Sequence, residues 1–361
     1  MIRILHIVEN YSLSGGGVST VVKSLVEELS QINFKSFVLT SFKEDEDKNI
    51  YVVNTSKSWL YSKEWKIKIK EICSKNKIDC IHIHGTWMYP QFIAAKFSLE
   101  NKIPFILSPH GMYEPWLWQK GTLKKKMYFN FLTKRIFTKA AVLHAITKNE
   151  EKNLKEIFVR PNIVEIPNLI KCNKELNEVF SSNERYILYL GRLNKIKGID
   201  LLIKSFIKIK PKGVKLKIAG EFNPYKNELE KIVLDANVNN IEFVGFVSGK
   251  VKDNLIKNAF VIATPSHSEV IGMVNLEAAI LKTPVITTFQ TGLSTSWPEN
   301  GGFLINPNEE ELMQSLKKVL KWTNEERKEN GQKLYDFVVK NYTWQNRIED
   351  WKNLYKSAIN G

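Results

Sequence analysis

Short apolar runs alternate with helix-length segments along the chain, and this rhythm constrains the fold more than any other feature. The runs of the first half are Ile4 to Val8, Phe37 to Thr40, Cys80 to His84, Phe105 to Ser108, Ala141 to Ile146 and Val164 to Ile166. Buried parallel strands joined by helical crossovers produce this pattern. The first half is therefore predicted to form a parallel sheet with helical crossovers.

A polar stretch from Lys171 to Arg185 interrupts the rhythm, which then resumes. The later runs are Tyr186 to Leu190, Lys215 to Ala219, Ile241 to Val244, Phe260 to Thr264 and Pro284 to Thr287. The polar stretch has little to bury and is interpreted as a linker. The pattern predicts an α/β protein of two doubly wound domains, residues 1–170 and 171–342.

Strand patterns end before Glu309, and the remaining residues predict two or three helices. The large side chains that recur there at helical spacing are Trp344, Ile348, Trp351 and Tyr355. Such spacing is typical of core or interdomain packing. We expect the last helix, residues 343–361, to pack back on the first domain.

The sequence predicts a cytoplasmic protein with anionic partners. No run approaches the roughly 18 apolar residues of a transmembrane helix, and Met1 opens directly into a strand pattern. The cysteines Cys73, Cys80 and Cys172 lack paired spacing, which suits a reducing compartment. The net charge of +15 favours nucleic acid, phosphorylated molecules or an acidic membrane, although a lysine-rich solvated surface gives the same composition.

Two glycine-containing segments are candidate phosphate sites. Gly15-Gly16-Gly17 follows the first predicted strand and leads into a helix, where backbone N–H groups can approach a phosphate. Its spacing is not that of a dinucleotide fingerprint, and a purely geometric turn is the alternative. Arg192 and Lys197 flank the first strand of the second half at its carboxyl end, where they can neutralise a leaving diphosphate without a metal, unless they are solvated loop cations.

Two carboxylates follow a later strand. Glu269 lies in a loop, and Glu277 lies about two turns into a helix that begins near Gly272. Both can accept hydrogen bonds from sugar hydroxyls, and the amides of Ile271 to Val274 can receive phosphate oxygens. The apolar neighbours of Glu277 favour a buried acid with a purpose over an exposed helical acid.

The histidines of the first half gather at one predicted sheet edge. Cys80, His82 and His84 alternate along a strand, so their side chains share one face. A zinc site is one interpretation, but no fourth ligand is evident, and a hydrogen-bonded pair near an acceptor fits better. We predict no metal site. His110 follows the next strand, with structural hydrogen bonding as the alternative to a role in binding.

Basic and aromatic residues are interleaved between positions 116 and 139, with no acid from Lys120 to Lys139. The basic residues are Lys120, Lys124, Lys125, Lys126, Lys134, Arg135 and Lys139, and the aromatic residues are Trp116, Trp118, Tyr128, Phe129, Phe131 and Phe137. This combination suits an amphipathic helix on anionic lipid. Nucleic-acid stacking lacks a supporting motif, and a helix with a solvated basic face and an apolar core face is the other alternative.

Eight short motifs follow one another along the chain. They are Gly15-Gly16-Gly17, His82-Ile83-His84-Gly85, Ser108-Pro109-His110-Gly111, Ile166-Pro167-Asn168, Gly191-Arg192, Lys197-Gly198, Ala219-Gly220-Glu221, and Glu269 with Glu277. In order and spacing, these motifs resemble family-4 retaining glycosyltransferases across most of the chain. The segment from Ser108 to Ala145 is similar to bacterial enzymes of capsule, O-antigen and lipopolysaccharide assembly. The resemblance implies the GT-B fold, in which two Rossmann-like domains flank a cleft and bind acceptor and nucleotide sugar respectively.

The resemblance also implies residue roles. Arg192 and Lys197 would bind the donor diphosphate, Glu269 the transferred sugar and Glu277 the ribose, while His110 would sit by the reacting sugar. The implied catalytic set is His110, Arg192, Lys197 and Glu269. The further donor contacts would be Gly16, Gly17, Gly220, Phe246, Val247, Ile271, Gly272, Met273 and Val274, with Phe246 and Val247 beside the nucleobase. The expected acceptor contacts are His84, Trp87 and Tyr113.

The chain departs from the family pattern near the donor. Glu269-Val270-Ile271-Gly272 replaces the usual Glu-Gly-Phe-Gly, Leu169 follows Asn168 in place of Gly, and Thr291 to Ser294 blurs a usual Gly-Gly-Glu loop. A β-branched Val changes the room beside the donor sugar. The donor sugar is therefore not fixed by the resemblance.

The expected activity is metal-independent, retaining hexosyl transfer from a UDP- or GDP-linked sugar, used as co-substrate, without a further cofactor. The expected acceptor is a lipid-linked or oligosaccharide glycan of bacterial surface polysaccharide, met at the inner face of the plasma membrane, with no nucleic-acid partner. The alternatives are a GT-B epimerase or phosphorylase, and a non-catalytic membrane or nucleic-acid binding protein. Intact Arg192, Lys197, Glu269 and Glu277 argue against the non-catalytic alternative.

Overall fold

A computed structural model describes residues 1–12, 16–44, 46–55, 57–115, 122–159, 162–172 and 184–361. The chain divides into two compact units, one of Met1–Leu169 with Arg347–Gly361 and one of Ile170–Asn346. Most of the predicted linker, residues 173–183, lies outside the described residues, as do Gly15, Trp116, Trp118 and Lys120.

The first unit contains a parallel sheet flanked by helices. Its strands are β1 (Ile2–Ile7), β2 (Phe34–Thr40), β3 (Ile50–Val52), β4 (Cys80–His84), β5 (Phe105–Ser108), β6 (Val142–Ala145) and β7 (Ile163–Glu165). Its helices are α1 (Gly16–Ser30), α2 (Glu64–Asn76), α3 (Tyr89–Glu100), α4 (Thr122–Met127), α5 (Lys134–Phe137) and α6 (Lys148–Ile157). A π-helical segment, Tyr128–Thr133, joins α4 to α5. The strand order is β3-β2-β1-β4-β5-β6-β7.

The second unit repeats this architecture. Its strands are β8 (Arg185–Leu190), β9 (Val214–Ala219), β10 (Ile241–Gly245), β11 (Val261–Thr264), β12 (Val285–Thr288) and β13 (Phe303–Ile305). Its helices are α7 (Ile199–Ile209), α8 (Tyr225–Asp235), α9 (Gly249–Lys257), α10 (Met273–Ile280), α11 (Glu309–Leu320) and α12 (Asn324–Tyr342), and α13 (Trp344–Asn360) follows them. The strand order is β10-β9-β8-β11-β12-β13.

Both sheets are parallel and doubly wound, which confirms the predicted fold class. The central strands β4, β5, β11 and β12 are buried along their whole length, as expected of strands covered on both faces. The strand order reverses between β1 and β4 and again between β8 and β11. Ligands of open α/β sheets bind beside such switch points, at the carboxyl ends of the strands.

The C-terminal aromatics are buried, in agreement with their predicted packing role. Trp344, Trp351 and Tyr355 are buried, whereas Ile348 is half-buried. The rings of Trp351 and Tyr355 contact that of His82 in the first sheet, with centroid distances of 5.9 and 5.6 Å. Among the described residues, no helix is long and apolar enough to cross a bilayer.

Candidate active site

The loop after β8 depends on two glycines. Gly191 has φ +154°, and a Cβ on Gly220 would lie only 2.1 Å from the Gly191 carbonyl oxygen. The amide of Gly191 donates to the carbonyl of Ala219 at 3.0 Å. Only a residue without a side chain fits at position 220, so its role is to let these backbones approach.

The loops that follow β8 and β11 are in direct contact. Gly198 has φ +65°, and a Cβ there would lie 2.2 Å from the carbonyl oxygen of Pro265. The amide of His267 donates to the carbonyl of Ile196 at 2.8 Å. Both loops border the switch point of the second sheet, so their side chains share one site.

Lys197 and Glu269 meet in this site. Lys197 Nζ lies 2.6 Å from Glu269 Oε1, and only 16% and 22% of the two side chains are exposed. Ser266 Oγ donates to Glu269 Oε2 at 3.3 Å. Arg192 lies on the exposed part of the same loop, and its carbonyl accepts from the Tyr189 hydroxyl at 3.0 Å.

Helix α10 begins beside Glu269. A Cβ on Gly272, the residue before α10, would lie 3.2 Å from Glu269 Oε2 and 2.7 Å from Asn275 Nδ2. No side chain caps this helix start. Buried hydrogen bonds join Asn275 to Thr264 at 2.7 Å and to Thr287 at 3.1 Å, which fixes α10 on β11 and β12. Uncapped amides at a helix N-terminus can bind an anion.

Glu277 differs from its prediction in position and in burial. It is the fifth residue of α10, just over one turn from the start rather than two. Its carboxylate is half-buried and pairs with Lys252 Nζ on α9 at 2.9 Å. The ion pair, rather than full burial, explains how an acid tolerates its apolar neighbours.

The other predicted donor contacts fall at the same sheet edge. Phe246 directly follows β10 and is 75% exposed, whereas Val247 packs partly against the core. Of the α10 segment, Ile271 buries its side chain, and Met273 and Val274 are half-buried. These positions leave a ring face at Phe246 available for a ligand.

In the first unit, Gly16 and Gly17 open helix α1. Both are exposed, Gly16 has φ +77°, and a Cβ on either would meet no atom of the described residues within 4 Å. The predicted Gly15 of this loop lies outside the described residues. Neither Gly16 nor Gly17 is therefore required by crowding from the described residues.

Three histidines form a chain of ring-to-ring hydrogen bonds at the edge of the first sheet. His6 Nδ1 lies 3.1 Å from His84 Nε2, and His84 Nδ1 lies 3.0 Å from His110 Nε2. Burial lowers the pKa of His6 and of His110 to about 3, and it lowers the pKa of His84 well below its ordinary value. All three rings are therefore neutral at physiological pH.

A second buried chain runs beside the first and anchors α13. Tyr355 Oη and Ser108 Oγ each lie 2.7 Å from a nitrogen of His82, at Nδ1 and Nε2 respectively. Ser108 Oγ lies 2.8 Å from His144 Nδ1, and His144 Nε2 lies 2.8 Å from the carbonyl oxygen of Ile166. A carbonyl oxygen can only accept a hydrogen bond, so His144 donates from Nε2 and accepts at Nδ1. It follows that Tyr355 donates to His82, His82 donates to Ser108, and Ser108 donates to His144.

These chains bear on the zinc interpretation. The nitrogens of His6, His82 and His84, rather than Cys80 Sγ, come within 4.8 Å of one another. Both nitrogens of His82 already hold partners at 2.7 Å. A metal ion could recruit His82 only by breaking one of these bonds, so the cluster is better described as a hydrogen-bond network.

His110 stands in a strained turn that Glu150 holds in place. His110 has φ +54°, in the left-handed region. Glu150 Oε1 accepts from the amide of Gly111 at 2.6 Å, and Oε2 accepts from the amide of Ile146 at 2.8 Å. Burial raises the pKa of Glu150 to about 7. Sequence reasoning missed Glu150, although Thr147 three residues earlier is a helix-capping signal.

Two of the three predicted acceptor contacts, His84 and Tyr113, need correction, whereas Trp87 stays a prediction. His84 is buried and both its ring nitrogens are occupied, so it offers an acceptor no free polar ring atom. Tyr113 is a core residue whose ring packs against Trp87, Phe129 and Phe158. Trp87 is half-buried and donates from Nε1 to the carbonyl of Met112 at 3.2 Å. Alternation along a strand predicted the shared face of His82 and His84, but not their partners.

The basic and aromatic stretch has two faces in its described part. Phe129, Thr133 and Phe137 recur every four residues and are buried. The exposed apolar side chains are Leu123, Met127, Phe131 and Leu132, and the exposed basic ones are Lys124, Lys126, Arg135 and Lys139. Of the predicted interfacial aromatics, Phe129 and Phe137 belong to the core, whereas sequence reasoning missed the exposed Leu123 and Met127.

Comparison with known proteins agrees with this architecture. Residues 15–174 match the family model "Glycosyltransferase Family 4", and residues 173–335 match "Glycosyl transferases group 1". An uncharacterized glycosyltransferase of Methanocaldococcus jannaschii is 28% identical over 354 residues, covering 94% of both chains. The capsular polysaccharide biosynthesis glycosyltransferase CapM of Staphylococcus aureus is 33% identical over 162 residues, covering 43% of this chain and 41% of CapM. The Anabaena protein HepE, solved with UDP, superposes with a TM-score of 0.76 at 14% identity, covering 98% of this chain and 100% of HepE.

The fold and the two matched domains define a glycosyltransferase of the GT-B class. Within that class, the chain is of the family-4 type, with its family-4 domain in the first half and its group 1 domain in the second.

Proposed function

We propose that the protein is a retaining glycosyltransferase that transfers a sugar from a nucleotide sugar to a lipid-linked glycan in bacterial surface polysaccharide synthesis. The observation that carries the proposal is the contact of Lys197 with Glu269 beside the uncapped start of α10. A cation and helix amides can hold a diphosphate, and a carboxylate can orient sugar hydroxyls. Resemblance to CapM and to a protein solved with UDP supports a capsule-type, UDP-linked reaction.

The proposed chemistry is front-face substitution. The acceptor oxygen bonds to the anomeric carbon while the bond from that carbon to the donor phosphate breaks on the same face. The hydroxyl proton passes to the departing phosphate oxygen. Arg192, Lys197 and the α10 amides stabilise the charge that develops on the diphosphate, so no metal is required of this step. A double displacement would instead need a carboxylate nucleophile on the opposite face.

The first test removes the guanidinium of Arg192. Arg192→Ala should lower kcat for transfer about 100-fold, because one preorganised donor to the leaving group is lost. Lys195→Ala is the matched control, since Lys195 lies in the same loop and forms an exposed ion pair with Glu228. Unchanged turnover in Arg192→Ala would refute the assignment.

A second measurement addresses the reaction itself. Incubation with a nucleotide sugar, with and without acceptor, separates transfer from epimerisation or phosphorolysis. The proposal expects a product only with acceptor, apart from slow hydrolysis, and NMR of that product should show the anomeric configuration of the donor. An inverted product would contradict the retaining mechanism.

We also propose that the exposed face of α4, the π-helical segment and α5 binds an anionic membrane. Leu123, Met127 and Phe131 recur every four residues, and Leu123 and Phe131 are 74% and 82% exposed. Lys124, Lys126 and Arg135 flank them. Exposed apolar residues bordered by cations are typical of helices that lie in the headgroup region of acidic bilayers.

Vesicle sedimentation tests this surface. The wild type should sediment with phosphatidylglycerol vesicles and not with pure phosphatidylcholine, and Phe131→Asp should abolish this binding. Leu234→Asp is the control, because Leu234 on α8 of the second unit is 77% exposed. Binding of Phe131→Asp at the wild-type level would exclude the proposed surface.

A further inference from the structure

Hydrogen bonds connect His6, inside strand β1, through His84 to His110, the candidate catalytic side chain. His6 lies on β1 and pairs in register with His82 of β4, which places its ring beside that of His84. His84 ends β4, and His110 follows β5 in its left-handed turn. Two ring-to-ring contacts, of 3.1 and 3.0 Å, therefore separate His6 from His110.

Neutral rings make this chain directional. A neutral imidazole carries one N–H and one lone pair, so His84 must donate at one nitrogen and accept at the other. Burial lowers the pKa of each of the three rings, which keeps them neutral. Only two arrangements remain, and in each of them the tautomer of one ring sets the tautomers of the other two.

The second ring nitrogen of His6, at the end of this series of hydrogen bonds, decides between the two arrangements. His6 Nε2 is buried and has no hydrogen-bond partner among the described residues. If His110 donated to His84, His6 would carry a buried N–H without an acceptor. If His6 donates to His84, His6 Nε2 is only a bare lone pair. Orphaned buried N–H groups are the rarer of the two in folded proteins.

We propose that His6 is a positioning residue that, through His84, fixes the proton of His110 on Nδ1, so that His110 presents a hydrogen-bond donor to the reacting sugar. His6 donates from Nδ1 to His84 Nε2, and His84 donates from Nδ1 to His110 Nε2. The tautomer assignment stands on the network alone, whereas the consequence for turnover rests on the proposed glycosyl transfer.

Nitrogen NMR of protein labelled with 15N-histidine tests the tautomer directly. The chain has six histidines, so the spectrum is small, and a His110→Gln spectrum assigns the signals of His110. The expected wild-type result is a protonated Nδ1 and an unprotonated Nε2 at His110. A proton on Nε2 in the wild type would reverse the chain and overturn the proposal.

Variants of His6 test the coupling. His6→Leu removes the donor to His84, so His110 should become a mixture of tautomers, and kcat should fall about tenfold at unchanged donor KM, as for one lost hydrogen bond. His6→Asn places an amide N–H near the former Nδ1 position and should restore both readouts. Should His6→Leu fail to fold, the wild-type spectrum and His6→Asn still decide the matter.

Ser108→Ala is the matched control, because it disrupts the neighbouring chain through His82 and His144 at equal burial. It should leave the His110 signals as in the wild type. An unchanged His110 spectrum in folded His6→Leu would refute the coupling. A protein with the expected tautomer but no transferase activity would instead refute the proposed function and leave the network intact.

Discussion

The carboxyl edges of the two sheets share one topology but use opposite chemistry. In the first unit, the neutral rings of His6 on β1, His84 at the end of β4 and His110 after β5 are joined by hydrogen bonds between their nitrogens. In the second unit, the loops after β8 and β11 carry Arg192, Lys197 and Glu269, which are partly exposed and charged.

This difference shows how one fold can supply two kinds of recognition. A network of hydrogen bonds between neutral rings holds a side chain in one orientation and, in the proposed arrangement, in one tautomer. Cations on loops, beside a helix start, attract a charged ligand directly. The first edge favours positioning, whereas the second favours charge stabilisation.

The largest expected effect comes from the charged edge. Lys197→Met should lower kcat/KM about 100- to 1000-fold, because a positioned cation at the leaving group is lost and Glu269 loses its partner. Steady-state kinetics with saturating acceptor measure this effect. Lys195→Met, in the same loop, should stay within a few-fold of the wild type, and an equal loss in both variants would mean that general surface charge is responsible.

The neutral histidines of the first unit should make the free energy of unfolding depend on pH under acidic conditions. The pKa of His6 falls from 6.5 to about 3 on folding, so between these pH values only the unfolded chain binds a proton there. The free energy of unfolding should therefore fall with pH below 6.5, by about 1.4 kcal/mol per unit from His6 alone, and be fully retained above it.

Urea unfolding of the wild type and His6→Leu at pH 6.5 and 5.5 isolates this contribution. Glu150 acts in the opposite direction, since its raised pKa of about 7 gives stability below 4.5 that is lost as pH rises toward 7. The difference in slope between the two proteins is therefore the measurement. His267→Gln controls for the loss of an exposed imidazole. Identical slopes in wild type and His6→Leu would mean that His6 is not held neutral.

A smaller effect is expected at Glu277. Glu277→Gln keeps the shape but removes the charge that Lys252 and the ribose hydroxyls are expected to share, so donor KM should rise about tenfold with little change in kcat. Glu230→Gln, which alters the Lys226 pair on α8, should leave KM unchanged. A fall in kcat without a change in KM would mean that Glu277 acts in the reaction step rather than in donor binding.

The smallest expected effect is a difference between the two sheet edges in their response to salt. Raising the salt concentration from about 50 to 200 mM shortens the screening length and should weaken nucleotide binding a few-fold. The NMR signals of His110 should not move, because a neutral buried network carries no charge to screen. Calorimetry and the labelled spectrum give the two readouts, and a shift of both would imply that the edges are electrostatically linked.

Periodicity was sufficient for most of the sheet architecture. Runs such as Cys80 to His84 and Phe260 to Thr264 are long and apolar enough to identify buried strands. Strands of three residues are too short for periodicity alone to decide: β7 was predicted as Val164 to Ile166, whereas β3 (Ile50–Val52) and β13 (Phe303–Ile305) were missed. Register was also inaccessible, since pairing of β1 with β4 joins residues that lie far apart in sequence.

Residues of the candidate site could be predicted where they belong to one local sequence motif, and not where they depend on partners distant in sequence. Lys197, Glu269 and Gly272 stand in recognisable loop motifs, and the structure brings all three together. The two ring partners of His84 come from β1 and from the loop after β5, so alternation along β4 could not reveal His6 or His110 as its neighbours. Burial of Tyr113 depends likewise on distant aromatic contacts that no local pattern records.

The bond from Tyr355 to His82 has a consequence for synthesis on the ribosome. Residues 1–169 emerge first, but their unit also includes residues 347–361. Until Tyr355 has been translated, the Nδ1 lone pair of His82 has no protein donor, and Trp351 cannot cover His144. The first unit can therefore be completed only after the entire second unit has been translated.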